Sequence, residues 1–152
     1  MQIWVDADAC PRAAKDVLFR AANKRRVHVT LVANQYLKTP PSKFVDAVVV
    51  PKGFDVADNE IVARLEPGDL VVTADVPLAD EVVTAGGTAL NPRGRLYTPE
   101  NIKEHLSRRD ALDELRSAGQ ITGGPDAYGN KEVQAFANAL DRHLTKYHVP
   151  RP

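Results

Sequence analysis

The sequence predicts an α/β protein in three layers, α/β/α, with a central, mostly parallel sheet of about five strands and added C-terminal helices. Three observations carry this. Short β-branched runs alternate with amphipathic helical segments over residues 1–91. The runs are apolar without the polar alternation of a half-exposed strand, as expected of parallel strands covered on both faces. After residue 91 the strand pattern stops and two long helical segments follow.

Element by element, "QIWV" (2–5) is the first strand and residues 12–26 the first helix, with Ala14, Val17, Leu18 and Ala21 on one stripe and Pro11 placed at its first turn. Strands follow at 27–33 and 47–51, separated by a Pro-Pro loop at 34–42. A helix at 56–66 is closed by Pro67-Gly68, a fourth strand spans 69–74, and a helix at 77–86 ends at a Gly pair before a short strand at 88–91. Thr98 and Pro99 open a helix to about Ala118, "GQITGGPDAYGN" (119–130) is a Gly-rich loop, and the last helix, near 131–147, carries Val133, Phe136, Ala137, Leu140 and Leu144 on one stripe. The expectation is one domain over 1–152, an α/β core at 1–91 with the helical part at 92–152 packed on it.

With 20 basic and 20 acidic residues the net charge is zero, so a polyanion would need a local patch or a metal to hold it. Cys10 is the only cysteine, which excludes an intrachain disulfide and a Cys-rich zinc site and suits a reducing cytoplasm. No apolar stretch approaches membrane-spanning length.

Ligands of open parallel sheets bind beyond the carboxyl ends of the strands. Three acidic stations fall there: Asp6 and Asp8 after the first strand, Asp55 and Asp58 after the third, and Asp75 after the fourth. Each has a local alternative. Asp8, Asp55 and Asp75 all stand where a carboxylate caps a helix. Asp58 is harder to explain so, because with Ile61, Val62 and Leu65 it heads the core-facing stripe of its helix, while Glu60 points to solvent. Asp80 and Glu81 lie off the Leu78/Val82 stripe. Carboxylates that converge without Lys or Arg raise one another's pKa or bind a divalent cation, and all-oxygen ligands suit Mg²⁺ or Mn²⁺. In a continuing strand Asp8 would point to the same side as Asp6, about 7 Å further along.

Seven stretches, "WVDADACP", "VANQ", "GFDVADNEIV", "GDLVVTADVPLA", "ALNPRGRLYTPENI", "DELRSAG" and "QAFANALDRHL", together resemble the bacterial YaiI/YqxD family, which is placed in the PIN-like superfamily. The resemblance runs nearly end to end. It implies a PIN-like fold and a Mg²⁺- or Mn²⁺-dependent nuclease acting on RNA or single-stranded nucleic acid. Asp6 matches the first PIN-like aspartate, after strand one. Asp58 in "DNEIVA" matches the second, early on a helix, and Asp75 in "VVTAD" the third. These three are the implied metal ligands, with Asp8 assisting catalysis. The D-x-D formed by Asp8 is not required in ordinary PIN domains, and the extra acidic residue that many carry on an early helix has only Asp16 or Asp8 as a substitute.

Asn91 and Arg93 in "NPRG" are candidate substrate contacts, Arg being suited to bidentate phosphate binding; an Asn-Pro turn with a surface Arg explains them equally well. Cys10 fits a small buried residue, and a Cys-x₅-Arg phosphatase loop fails because position 16 is Asp16. Lys103, Arg108, Arg109 and Arg116 fit an ordinary solvated helix face, and the four histidines show no metal-ligand spacing. Two other functions compete with the nuclease. In a haloacid-dehalogenase-like phosphatase the D-x-D would supply nucleophile and acid/base, although Cys10 occupies the position where that family has Thr or Val. A non-catalytic binding module of the same fold is the third.

Overall fold

A computed structural model describes residues 1–119 and 127–150. The strands are β1 (Gln2–Asp6), β2 (His28–Ala33), β3 (Val45–Val49), β4 (Leu70–Val72), β5 (Thr88–Leu90) and β6 (Leu96–Tyr97). The helices are α1 (Arg12–Arg25), α2 (Val56–Arg64), α3 (Val76–Thr84), α4 (Ile102–Ser117) and α5 (Asn130–Tyr147). The sheet order is β3-β2-β1-β4-β5-β6. The first five strands are parallel, so their carboxyl ends share one edge, and β1 lies inside the sheet between β2 and β4. Only β6 runs antiparallel, returning along β5.

Strand alternation splits the core in two. Ile3 and Val5 of β1 face one layer, where α1 (Ala14, Leu18) and α5 (Phe136, Leu140) cover the sheet. Trp4 faces the other, where α2 (Ile61), α3 (Leu78, Val82) and the start of α4 (Ile102) pack. The predicted three layers are therefore present. The third strand starts two residues earlier than expected and the fourth is shorter. The segment after residue 91, predicted to be helical, also supplies β6. Its turn needs Gly94, with φ +94° and a position where a Cβ would stand 2.8 Å from the Ala135 backbone of α5. Most of the expected Gly-rich loop at 119–130 lies outside the described residues. Among the described residues, no helix is long and apolar enough to cross a membrane.

Candidate functional site

Asp6 is the last residue of β1, and alternation puts it on the same face as Trp4, toward α2 and α3. It is only 9% exposed. Its Oδ2 accepts a hydrogen bond from the Thr73 hydroxyl at 3.1 Å, and that hydroxyl oxygen accepts from the Asp75 backbone N–H at 3.0 Å. Thr73, just past β4 and buried, thus ties the first station to the third. Thr73 is the threonine of the "VVTAD" motif; the motif marks its position at the end of an apolar strand but not its bond to Asp6.

Asp75 caps α3, with Oδ1 accepting from the Leu78 N–H at 3.0 Å. The capping reading holds, and it does not spend the charge, because Asp75 still acts on both Asp6 and Asp58. Asp58 stands half-buried in the first turn of α2. Its carboxyl is pushed up to about 7, by burial first and then by the charges of Asp6, Asp75 and Asp55. Asp6 is also pushed up, chiefly by burial, with the Thr73 bond opposing and Asp75 and Asp8 adding. No cation is among the groups that shift either carboxyl. Asp55, Asp58 and Asp75 share the wall of a cavity of about 220 Å³ with Phe54 and Arg109. Phe54 is 94% exposed. Arg109 is engaged by Asp110 and Asp113 of its own helix. Asp6 is outside this wall and bears on it through its charge on Asp58.

Three local expectations change. Residues Ala7–Ala9 form a 3-10 turn, so the strand does not continue and Asp8 is not an extended neighbour of Asp6. Asp8 does not cap α1 either: it is exposed, and its Oδ2 accepts from the Asn34 N–H at 2.8 Å, joining the ends of β1 and β2. Asp55 precedes α2 in the left-handed region, φ +60°, and its side chain makes no cap bond.

Asn91 lies at the same sheet edge, after β5, with its side chain inside the turn. Its Oδ1 accepts from the Arg93 N–H at 2.7 Å and its amide donates to the Tyr97 hydroxyl at 3.2 Å. Arg93 points to the α5 side, 3.7 Å from Glu132 and over the Tyr128 ring. These two are therefore not brought to the wall that holds Asp58 and Asp75. Glu60 pairs with Arg64 on its own helix. Cys10 is buried, with its thiol pushed up to about 12 mainly by burial, which keeps it protonated. His28 pairs with Asp46, His105 meets the Tyr97 ring, His143 is buried against Tyr147, and His148 bonds the carbonyls of Arg25 and Arg26.

Carboxylates that share a wall with one cation, Arg109, which is already engaged by Asp110 and Asp113, suit a hard divalent ion. The donor chemistry of Asp6, Asp58 and Asp75 fits one. Among the described residues, however, no group of three or more His, Cys, Asp or Glu side chains is arranged to hold a metal ion as it stands. The set is coupled by charge and open in geometry.

Residues 4–146 match the family described as "Uncharacterized BCR, YaiI/YqxD family". The chain is similar to the UPF0178 protein of Shewanella woodyi, 59% identical over 150 residues and 99% of both chains. It is similar to that of Shewanella sediminis at 61% over 148 residues, 97% of this chain and 99% of the relative. The UPF0178 protein PC1_0756 of Pectobacterium carotovorum subsp. carotovorum is 59% identical over 99% of this chain and its own full length. No solved structure matches the chain. The extent of these matches shows that the chain belongs to the YaiI/YqxD family.

Proposed function

We propose that the protein is a Mg²⁺- or Mn²⁺-dependent nuclease that hydrolyses phosphodiester bonds in RNA or other single-stranded nucleic acid in the cytoplasm. One observation carries the reading. At the carboxyl edge of the sheet, Asp6 from β1, Asp58 from α2 and Asp75 at the head of α3 act on one another, and no cation is among the groups that shift Asp6 or Asp58. Uncompensated like charge of this kind destabilises a fold, and functional sites are where such strain is retained. The three positions are those that the PIN-like resemblance assigns.

Asp6, Asp58 and Asp75 would hold the ion, which when bound neutralises a phosphate and activates water. The chain's own contribution is placement. The Thr73 hydroxyl fixes Asp6, and the Leu78 N–H fixes Asp75. Asp58, on the open wall, titrates near neutrality and exchanges its proton for a cation with little penalty. Phe54 offers an exposed ring beside the carboxylates, on which an unpaired base can stack.

The phosphatase reading draws less support, since it needs Asp8 free as acid/base and that carboxylate is taken by Asn34. The binding module draws support from the open geometry of the carboxylates. The test is cleavage of labelled single-stranded RNA and DNA in Mn²⁺. Asp6→Asn, Asp58→Asn and Asp75→Asn should each abolish cleavage, Asp8→Asn should weaken it, and Glu60→Gln should leave it intact. Wild-type activity in Asp6→Asn would refute the site. Strand binding without cleavage by the wild type would favour the module, and a trapped phosphoaspartate the phosphatase.

A further inference from the structure

We propose that the cleft between α1 and the loop of residues 34–44 is a second nucleic-acid subsite, which receives one unpaired nucleotide of the strand bound at the acidic edge. It deepens the nuclease reading and rests on it for the identity of the strand; the cleft itself is argued from its own chemistry.

The cleft encloses about 610 Å³, against about 220 Å³ for the acidic cavity. Sites that hold ligands of nucleotide size span about 300–1,000 Å³. Its apolar lining comes from Phe19 of α1 and from Leu37, Pro40 and Pro41 of the loop, with buried Leu31 of β2 beneath, a floor suited to the face of a base. Arg12, Lys15 and Lys38 bring three cations to the same wall, against the single carboxylate of Asp16. None of the three cations makes an ion pair among the described residues. In a chain of zero net charge this is a local positive patch of the kind a polyanion requires.

The cleft is held open in advance and stands next to the acidic edge. The loop's root is fixed where the Asn34 N–H meets Asp8, and its far end where the Ser42 hydroxyl donates to Asn23 of α1 at 2.5 Å. The short stretch from Asp6 to Arg12 joins the end of β1 to the start of α1, so chain continuity links the acidic edge to the cleft wall. Tyr36, on the loop just past Asn34, is 82% exposed and can stack a further base. A strand crossing the edge would lay phosphate on the cations and a base on the floor. A base held within a duplex cannot enter without leaving its stack.

The test is fluorescence anisotropy of an end-labelled single-stranded 12-mer in EDTA, at two salt concentrations. The wild type should bind and weaken as salt rises. Lys15→Ala and Lys38→Ala should each weaken binding about three-fold or more and lower the log–log salt slope by about one. Phe19→Leu, which keeps the core filled, should weaken binding without changing that slope. Lys24→Ala, on another part of α1, should bind as wild type. Asp6→Asn should still bind while losing Mn²⁺-dependent cleavage, so the two proposals fail separately. Cleavage with unaltered binding by the Lys15 and Lys38 variants would overturn the subsite and leave the nuclease standing. Strand binding through the cleft without cleavage would do the reverse. Equal binding of duplex and single strand, or no binding at all, would overturn the subsite.

Discussion

Two buried aspartates sit at opposite edges of the same sheet, and their surroundings differ completely. Asp69, at the amino edge before β4, is 5% exposed and saturated with donors. It accepts from the Gln2 N–H, the Trp4 indole N–H and the Glu66 N–H, each at 3.0 Å. Asp6, at the carboxyl edge, is 9% exposed, has the Thr73 hydroxyl as its hydrogen-bond donor, and feels the charges of Asp75 and Asp8. A carboxylate whose acceptor capacity is filled stabilises a fold, and one left short of donors among like charges weakens it. The amino edge sets its buried carboxylate among donors, and the carboxyl edge sets its own among like charges.

The largest expected effect lies at the amino edge. Asp69→Ala strands three N–H groups and should cost about 3 kcal/mol or more in urea unfolding. Asp6→Asn, in EDTA, should be neutral or stabilising. A loss above about 2 kcal/mol in Asp6→Asn would erase the contrast.

Next comes metal. At a Mn²⁺ concentration ten times Kd, the native state should gain about 1.4 kcal/mol by mass action, a rise in Tm of about 3–5 °C. Asp6→Asn should lose that rise, and Glu60→Gln should keep it.

The pH dependence sharpens the comparison further. Asp58 titrates near 7 in the folded protein, against an ordinary value of 3.8. Below both values each state is protonated and the group contributes nothing. Between them the unfolded chain releases its proton first, so native stability falls as pH rises, and above about 7 the whole loss is in place. Asp58→Asn removes it. The variant's advantage in chemical denaturation should grow from near zero at pH 4 to the order of 1 kcal/mol at pH 8, a size reduced for its partial exposure. The smallest effect is expected at Asp8, where Asp8→Ala loses a single exposed hydrogen bond to Asn34 and should cost about 0.5 kcal/mol.

Most of the fold is legible in the sequence because parallel strands and amphipathic helices announce themselves by period. Gln2–Asp6, Arg12–Arg25 and Asn130–Tyr147 lie within a residue of their expected spans. β6 is not legible, because two residues carry no period and its pairing is set by the turn at Gly94. Asp58 was legible from its place on the helical stripe, and the Asp75 cap from its position before Pro77. The bond from Asn34 to Asp8 was not, since it joins residues 26 apart through a 3-10 turn that breaks the strand. The cleft was hidden for the same reason: Arg12, Lys15 and Lys38 come together only once the loop folds back on α1.

The most direct measurement is calorimetric titration of Mn²⁺ into the wild type, Asp6→Asn and Glu60→Gln, each free of other divalent ions. If the carboxyl edge holds a cation, the wild type and Glu60→Gln bind Mn²⁺ at millimolar concentration or below, and Asp6→Asn does not. Absence of binding to the wild type at about 10 mM, or an unchanged isotherm in Asp6→Asn, would contradict it.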